Sequence, residues 1–411
     1  MKTVRVCGVG TTAVGRLGRS ATALAAEAVD AALADAGLKR TDLDALITVP
    51  SLSNPHFMQA HYLATKMELV PSNHVTLRTL DTGGAGPISA LTEASNFIRA
   101  DRAEIVAVVA ADAVLTLDSA TFRQRADDSV AGAVNLPSPC IPHGYDRVAQ
   151  WSIANGTVTR EQLAMVPVLQ SLLAAKHPKA MCRAPYTLDE VLSAPAVAPV
   201  TGLKECARRA DGAAALILGS SRALRRFDGV KELDRCPVVI STGEGSGPLY
   251  PPREPSLVTE DMFSCERACR YAYKVAQLGP MDIDYFSLYD CFPICLIRAL
   301  EAVKLCPKGE GGRYIEKCYR AVVDGSMDAE ALARELYPIN THGGLQCFGA
   351  PWEAPAMFGV VEAVQQLSGT PEGVKAVARR DGGKPRRALV YGNGGIFSAS
   401  SVAILGDGVY A

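Results

Sequence analysis

A phenol, a carboxylate and a thiol stand side by side in the chain at Tyr289, Asp290 and Cys291. Residues 281–288 before them read as a short strand, and residues 294–303 after them carry apolar side chains at helical spacing. The three groups are therefore predicted where a strand gives way to a helix, which is where open α/β sheets place their chemistry. Composition alone equally supports a loop with a buried tyrosine and a core cysteine, because free cysteine behaves mostly as a small hydrophobe.

Two glycine-rich loops could supply backbone donors. Residues 81–87 precede a predicted helix, so their N–H groups could form an anion or oxyanion site, although a plain turn demands similar glycines. Residues 392–395 hold no ionisable side chain and can offer only backbone donors and close approach. The glycines concerned are Gly83, Gly84, Gly394 and Gly395.

A further loop, residues 340–353, carries ionisable side chains and leads into a predicted apolar helix at 356–364. His342 and the glutamate and cysteine that follow it are candidate acids or bases, and Gly343 beside the histidine is predicted to bind an oxyanion or substrate. A lone loop histidine is more often hydrogen-bonded or solvated than catalytic, so this loop by itself leaves both interpretations open.

The composition favours a small-molecule ligand. A chain of 411 residues with 48% hydrophobic content can form two or three domains around a large core. Its 42 basic and 43 acidic residues are evenly spread, which argues against nucleic acid or an acidic membrane surface as the main partner. We expect no membrane span, since no apolar run approaches the roughly 20 residues that crossing a bilayer requires.

The 12 cysteines are scattered through the chain without a CxxC motif. This argues against a disulfide framework and against a zinc site, and it fits a reducing compartment. Cys265 with Cys269 and Cys291 with Cys295 each lie four residues apart, on one face of a helix, but metal binding would need two further ligands. We therefore predict packing for these thiols and no metal site.

The first 26 residues lack acidic side chains, and this composition resembles a mitochondrial presequence. We therefore expect a mitochondrial location, with the cytosol as the alternative, because residues 3–9 also read as a first core strand. The last residues, 408–411, do not form a peroxisomal SKL-type tripeptide.

Strands and helices alternate in both halves, which predicts parallel sheets covered on both faces. The first half is predicted to contain strands at 4–9, 43–49, 74–80 and 105–111, and helices at 21–36, ended by Gly37 as a left-handed cap, and 87–99. The second half is predicted to contain strands at 237–241, 282–288, 387–391 and 401–405, and a helix at 259–278 stopped by Gly279. Aspartates follow the stop glycine in both halves, at Asp42 and Asp44 and at Asp282 and Asp284. Two related α/β units in tandem are the simplest interpretation, although alanine-rich helices before strands can look alike by chance.

Between the halves, residues 121–207 form an insertion of mixed character. A helix is predicted to begin near residue 157, with Thr159 as its cap, and residues 211–218 return to the first sheet. Such insertions often cover a substrate. The predicted division is therefore 1–120 completed by 208–225, a substrate-covering domain at 121–207, and a second half at 226–411.

The four loops in this order resemble the thiolase superfamily, and specifically the sterol carrier protein type-2 thiolases. The YDCF sequence at 289–292 is similar to the fingerprint of the trypanosomatid thiolase-like proteins. The resemblance covers essentially the whole chain. It implies a thiolase fold, with two tandem βαβαβαββ units in a five-layered α-β-α-β-α core and an inserted loop domain. It also implies a homodimer and a coenzyme A thioester as substrate, without a tightly bound cofactor.

Three reactive side chains of that family are missing. Alignment on the first loop puts Gly83 where a thiolase has its nucleophilic cysteine. Ala350 replaces the histidine of the family's GHP motif, and Gly392 falls near the acid/base cysteine. Without a thiolate and its proton-transfer partner, covalent catalysis of the thiolase kind loses both of its steps.

The resemblance leaves an oxyanion-binding apparatus in place. Backbone N–H groups near Gly83 and Gly394 would form one oxyanion hole, and Tyr289 replaces the histidine that helps to build the other. A tyrosine hydroxyl can donate a hydrogen bond to a thioester oxygen, so enolates of short acyl-CoA esters such as malonyl-CoA and acetoacetyl-CoA could be stabilised. Asp290, Cys291 and His342 complete the predicted catalytic set.

The leading prediction is therefore a thiolase-like protein of lipid metabolism with weak malonyl-CoA decarboxylase activity. One alternative is an aldolase that cleaves 3-hydroxyacyl-CoA, with Tyr289 as acid or base. Another is a non-catalytic acyl-CoA sensor or scaffold. A conventional thiolase would require Cys291 or Cys347 as nucleophile.

Overall fold

The computed structural model describes residues 2–71, 74–130, 136–374 and 383–409. The strands are β1 (Val4–Thr11), β2 (Ala45–Thr48), β3 (Thr76–Thr79), β4 (Ile105–Ala113), β5 (Ala196–Ala198), β6 (Thr201–Gly202), β7 (Asp211–Ser220), β8 (Val238–Ser246), β9 (Tyr285–Leu288), β10 (Arg387–Gly394) and β11 (Ala399–Gly406). The helices are α1 (Ala21–Ala36), α2 (Gln59–Lys66), α3 (Gly86–Arg99), α4 (Ser119–Asp128), α5 (Cys140–Ala154), α6 (Arg160–Ala174), α7 (Leu188–Leu192), α8 (Ser221–Leu224), α9 (Cys265–Ala276), α10 (Pro293–Ala302), α11 (Gly311–Val323), α12 (Ala329–Ala331), α13 (Gly344–Cys347) and α14 (Pro355–Ser368).

The large strands form two sheets joined edge to edge. The first has the order β3-β2-β4-β7-β1 and the second β8-β11-β10-β9. Strand β2 runs parallel to both of its neighbours, and β9 runs parallel to β10, whereas β7 and β11 are antiparallel to theirs. The prediction of purely parallel sheets was therefore wrong, because the strands that return to the centre of each sheet run antiparallel. The two sheets meet at one strand pair, Arg5 opposite Val238. Each sheet therefore has its own parallel strands, and the two sets lie on opposite sides of the junction between β1 and β8.

Helices α3 and α14 lie between the two sheets. Helix α3 contacts β4 and β10, and α14 contacts β7 and β10, whereas α1 covers β1, β4 and β7, and α9 covers β8 and β11. The pleat of β7 separates the two faces of the first sheet, because Leu216 packs in the core that contains α3 and Ile217 packs in the core that contains α1. These layers are those of the predicted five-layered thiolase fold.

Small residues allow the outer helices to lie close to the sheets. A Cβ on Gly10 of β1 would lie 2.3 Å from the Ala28 carbonyl oxygen of α1. The second half repeats this contact, because a Cβ on Gly243 of β8 would lie 2.4 Å from the Ala268 carbonyl oxygen of α9. The alanine-rich helices predicted from the sequence are therefore a requirement of this packing.

The aspartate repeat has a shared structural basis. Asp44 Oδ2 accepts hydrogen bonds from the backbone N–H groups of Glu104 and Ile105, at the start of β4. Asp284 Oδ2 accepts them from Arg386 and Arg387, at the start of β10. Each aspartate ties the beginning of one parallel strand to the next, so the prediction of two related units is confirmed. The third strand of the second unit is represented by a single bridge between Phe286 and Ile339.

Both ends of one predicted helix were wrong. The helix predicted at 259–278 begins at Cys265, because residues 260–262 form a separate 3-10 turn. It ends at Gln277, which takes the left-handed conformation at φ 54°, whereas Gly279 is extended. The expected stop at Gly37 is correct, with φ 72°.

The strand predicted to end at residue 391 also continues further than expected. Strand β10 runs through Gly394, because its glycines still pair with β11, Gly392 opposite Ser401 and Gly394 opposite Ala399. The loop predicted at 392–395 is therefore mainly strand, and the chain turns at 395–398.

The segment between β4 and β7 contains helices α4 to α7 and the short β5–β6 hairpin. Helix α6 begins as predicted, with Thr159 as its cap and Gln162 completing a capping box. The proposed domain boundaries stay a prediction.

The acid-poor N-terminal segment includes the core strand β1, whose Arg5 donates hydrogen bonds to the carbonyls of Leu233, Cys236 and Gly408. The mitochondrial location stays a prediction. Residues 410 and 411, which end the C-terminal tripeptide considered above, lie outside the described residues. No described helix combines the length and apolar composition needed to cross a bilayer.

Candidate active site

Four of the predicted loop residues and Tyr289 meet where the two halves join. The Tyr289 hydroxyl oxygen lies 2.1 Å from the position that a Cβ on Gly84 would take. Gly83 has φ +58°, and a Cβ on it would lie 3.0 Å from Gly394 Cα and 3.2 Å from Gly395 N. We call Gly83, Gly84, Tyr289, Gly394 and Gly395 the glycine–tyrosine cluster. It puts a phenol hydroxyl beside two glycine segments, which are the parts of an oxyanion site.

The Tyr289 hydroxyl is free to bind a ligand. Its side chain is buried, and within the described residues the hydroxyl has no hydrogen-bond partner. Burial, followed by the proximity of Cys291, raises its pKa well above the usual range for tyrosine. The phenol is therefore neutral at physiological pH and can donate its proton to a ligand oxygen.

Replacing Gly84 with alanine should disrupt the cluster. The added Cβ would collide with the Tyr289 hydroxyl, and it would also lie 2.4 Å from the Asn393 carbonyl oxygen, which is backbone. We expect binding of the acyl-CoA ligand that the thiolase resemblance implies to weaken by at least about tenfold, since a displaced donor loses its hydrogen bond to the ligand. Gly279→Ala is the control, because the nearest atom to its Cβ would be at 3.8 Å. Calorimetry of both variants measures the effect, and equal affinities would contradict it.

Asp290 points away from the glycine–tyrosine cluster and towards α13. Its Oδ1 accepts a hydrogen bond from Leu345 N at 2.7 Å, and its Oδ2 lies 2.1 Å from the position of a Cβ on Gly344. Oδ2 has no partner among the described residues, and burial raises the pKa of Asp290 to about 7. These contacts hold the 340–353 loop against the strand end. The catalytic role predicted for Asp290 stays a prediction.

Asn340 strengthens the same connection. Its amide accepts a hydrogen bond from Leu288 N and donates one to Leu288 O, both at 2.7 Å, in the manner of a neighbouring strand. The loop is thus fixed to the last residue of β9, immediately before Tyr289. The sequence analysis included Asn340 only within the loop at 340–353 and gave it no role.

The structure does not bring His342 or Gly343 to the cluster. The His342 ring meets the Phe348 ring edge-on at 5.0 Å, and a Cβ on Gly343 would lie 2.4 Å from Ala174 Cβ. Burial, with a smaller contribution from His177, lowers the pKa of His342 to about 3. The imidazole is therefore neutral at physiological pH, and its Nδ1 has no partner among the described residues.

All 12 cysteines are free thiols. Cys291 is buried next to Tyr289, and its carbonyl accepts a hydrogen bond from Ala207 N at 2.8 Å. Cys347 is fully buried in the core, and burial raises its pKa well above the usual range for a thiol. Cys347 is thus inert as a nucleophile, because the thiolate is the reactive form.

Tyr145 is a site residue that sequence reasoning missed. It lies on α5 of the insertion, and its hydroxyl donates to Gly395 O and accepts from Asn393 Nδ2, both at 2.5 Å. Its ring stacks on Phe292 at 4.8 Å between centroids. Tyr145 thus locks the last glycine segment against the insertion. The partners are about 250 residues apart in the chain, so no local pattern signals the contact.

The three positions that lack thiolase side chains are closely packed. A Cβ on Gly392 would lie 3.1 Å from the Gly84 carbonyl oxygen, and Gly83 has the left-handed conformation that disfavours a side chain. Ala350 is buried, and its N–H donates to Arg208 O at 2.7 Å. The backbone around Gly83 and Gly392 therefore leaves little room for the two missing cysteines.

Comparison with known proteins shows similarity to thiolases and related enzymes. Residues 254–407 match the family model described as thiolase C-terminal domain-like. The chain is 29% identical over 379 residues to an acetyl-CoA acetyltransferase of Methanothermobacter thermautotrophicus, covering 90% of this chain and 92% of that protein. It is 28% identical over 414 residues to the 17-hydroxy-3-oxo-4-pregnene-20-carboxyl-CoA lyase of Mycobacterium tuberculosis, covering 94% and 98%.

Solved structures of related proteins have the same fold as this chain. The Ltp2-ChsH2(DUF35) aldolase superimposes with a TM-score of 0.79 at 24% identity, over 99% of this chain and 98% of that chain. A monomeric SCP2-thiolase like protein type 1 from Mycobacterium smegmatis gives a TM-score of 0.69 at 21% identity, over 98% and 77%. The trypanosomatid type and the meaning of the YDCF sequence stay predictions. The chain has the thiolase fold and is similar to proteins of the thiolase superfamily, among them acetyltransferases, a lyase and an SCP2-thiolase like protein.

Proposed function

We propose that the protein binds short acyl-CoA thioesters and stabilises their enolates, with weak malonyl-CoA decarboxylase activity. The observation that carries this proposal is the free Tyr289 hydroxyl within the glycine–tyrosine cluster. Gly83, in the same cluster, supplies no nucleophile. The site therefore has groups for charge stabilisation and no thiol at the position of the thiolase nucleophile.

Decarboxylation suits such a site because it needs no covalent intermediate. The bond between the malonyl carboxylate and C2 breaks, carbon dioxide leaves, and the electron pair passes into the thioester as an enolate. The charge collects on the thioester oxygen, where the neutral Tyr289 hydroxyl and backbone N–H groups near Gly83 and Gly394 would donate hydrogen bonds. The Gly83 N–H itself donates to Asp81 Oδ1 at 3.4 Å in this structure. Such preorganised donors favour the transition state over the ground state, because the charge develops only as the bond breaks.

The test is incubation of the purified protein with malonyl-CoA, acetoacetyl-CoA and acetyl-CoA, with mass spectrometry of products and protein. The proposal expects acetyl-CoA from malonyl-CoA and an unmodified protein. Saturable binding without any product would instead support a sensor or scaffold. An acylated Cys291 would support a conventional thiolase.

A retro-aldol cleavage of 3-hydroxyacyl-CoA is the second candidate. It is favoured by the similarity of the chain to a lyase and an aldolase, and it passes through the same enolate with Tyr289 as acid or base. Product analysis separates the two reactions, since a retro-aldol substrate yields an aldehyde or ketone together with a shortened acyl-CoA.

We also expect a homodimer in solution. Strand β3 forms the outer edge of the first sheet, so its free backbone edge is open to a second chain. Light scattering should give twice the chain mass of 43.4 kDa. A mass of one chain would contradict the expectation and would match the monomeric state of the SCP2-thiolase like protein from Mycobacterium smegmatis.

A further inference from the structure

Glu353 lies against the same turn of chain as Tyr289. Its Oε2 is 3.8 Å from the position of a Cβ on Gly86, and Gly84, two residues earlier, faces the Tyr289 hydroxyl. The preceding Trp352 adopts a left-handed conformation with φ 47°. The carboxyl of Glu353 and the phenol of Tyr289 thus approach one short segment from the 340–353 loop and from the end of β9.

One oxygen of the Glu353 carboxyl is unpaired within the described part of the chain. This atom, Oε2, is buried without a hydrogen-bond partner among these residues. A negative charge on this buried atom would have no hydrogen bond to stabilise it, and burying such a charge costs free energy. The atom is therefore available to a ligand in the neighbouring site.

The charged groups that face Glu353 also oppose its ionisation. Burial raises its pKa most, and Asp81, from the loop before α3, and Asp112, from the end of β4, raise it further, to about 8, against a smaller lowering by a hydrogen bond with Trp352. Asp112 has a structural task, because it accepts backbone hydrogen bonds at the end of β4 and in the loop after β2. The nearby Tyr289, whose own pKa Glu353 helps to raise, is neutral. Glu353 is thus a carboxylic acid that holds its proton near neutral pH.

The proposed reaction requires a proton at carbon. After carbon dioxide leaves, the enolate must be protonated at C2, and Tyr289 is already engaged with the oxygen. Gly83, Ala350 and Gly392 stand where the thiolase resemblance would place reactive side chains. An acid from another position is needed.

We propose that Glu353 donates the proton to C2 of the enolate, and that its carboxylate removes an α-proton from an acyl-CoA in the reverse direction; this rests on the proposed function. In the forward step the O–H bond of Glu353 breaks, a C–H bond forms at C2, and acetyl-CoA is released. The Glu353 carboxylate then takes a proton from water. The overall reaction consumes one proton and needs no other reactant.

The test follows two reactions in heavy water, decarboxylation of malonyl-CoA and exchange of the methyl protons of acetyl-CoA for deuterium. The exchange does not depend on loss of carbon dioxide, so it isolates proton transfer at C2. In Glu353→Gln we expect the exchange and decarboxylation rates to fall by about a hundredfold, with malonyl-CoA affinity retained. Glu353→Asp should recover part of the exchange, and Glu232→Gln, at a side chain that is 82% exposed, serves as control.

The pH profile of the unaltered protein gives a second measurement that needs no variant. The acid form of Glu353 serves decarboxylation, so that rate should fall as pH rises through about 8. The carboxylate form serves exchange, so the exchange rate should rise over the same interval. Opposite profiles would support the assignment, and parallel or flat profiles would overturn it.

The outcomes separate the two proposals. Decarboxylation and exchange that are equal in the unaltered protein and in Glu353→Gln would overturn the role of Glu353 and leave the proposed function standing. Neither reaction in the unaltered protein, despite saturable binding of malonyl-CoA, would overturn the proposed function and the inference with it.

Discussion

Replacing Tyr289 with phenylalanine is expected to lower kcat for malonyl-CoA decarboxylation by about 10²- to 10³-fold, the usual cost of removing one oxyanion donor. The substitution removes only the hydroxyl oxygen and keeps the ring that packs against Gly84. The affinity for malonyl-CoA should change much less than the rate, because the negative charge on the thioester oxygen develops in the transition state. Steady-state kinetics with acetyl-CoA detection measures kcat and KM separately.

Tyr271→Phe is the matched control, since Tyr271 lies on α9 and is 56% exposed. Its kinetics should equal those of the unaltered protein. Equal kcat in Tyr289→Phe and Tyr271→Phe would remove the Tyr289 hydroxyl from the mechanism and leave the backbone N–H groups as the only donors of the site. A loss confined to KM would mean that the hydroxyl binds substrate and transition state equally.

Features of the fold that depend on neighbouring residues could be predicted from the sequence. Gly37 ends α1 because a left-handed cap suits glycine, and Thr159 starts α6 with a capping box. The aspartates Asp44 and Asp284 were visible as a repeat because each serves the start of an adjacent parallel strand. The helix caps and the repeated aspartates were therefore sufficient to predict two α/β units.

Features decided by tertiary contacts could not be predicted. Helix α9 ends at Gln277, which adopts a left-handed conformation that glycine would favour. The sequence instead predicted the helix end at the nearby Gly279, which is extended. Strand β10 continues through glycines because β11 pairs with them, which no local pattern shows. Pairing with a distant strand thus overrode the preference of glycine for turns.

The residues of the candidate site also fall into two groups, those that local sequence predicts and those that depend on tertiary contacts. Tyr289 could be predicted because it follows a strand and precedes a helix. The two segments that contact it could be predicted because they are rich in glycine. Tyr145 lies in the insertion, and its contact with the site could be recognised only from the position of α5 in the structure. Glu353 was visible as an ionisable residue, but its distinctive feature, a buried oxygen without a partner among the described residues, is a property of the packed structure. Sequence patterns identify which loops converge, and packing decides which side chains face the ligand.

Replacing Arg298 with methionine should lower the free energy of unfolding by about 3–5 kcal/mol, the typical cost of breaking a buried ion pair by removing one partner. Arg298 is 4% exposed and contacts Glu260 at 2.7 Å and Glu301 at 3.4 Å, and its guanidinium lies 4.2 Å from the centre of the Phe263 ring. Without it, the equally buried Glu301 would lose its cation.

Urea unfolding followed by circular dichroism measures this effect. Arg320→Met is the control, because Arg320 is 74% exposed and its ion pair with Glu316 lies at the surface, where such pairs contribute about 0–1 kcal/mol. Combining Arg298→Met with Glu301→Gln should recover part of the loss, since the uncompensated charge is then removed as well. Equal losses in Arg298→Met and Arg320→Met would contradict the prediction. They would show that the carboxylates around α10 are stabilised by solvent or protonation, so that the buried cation is not what holds the outer layer of the second half together.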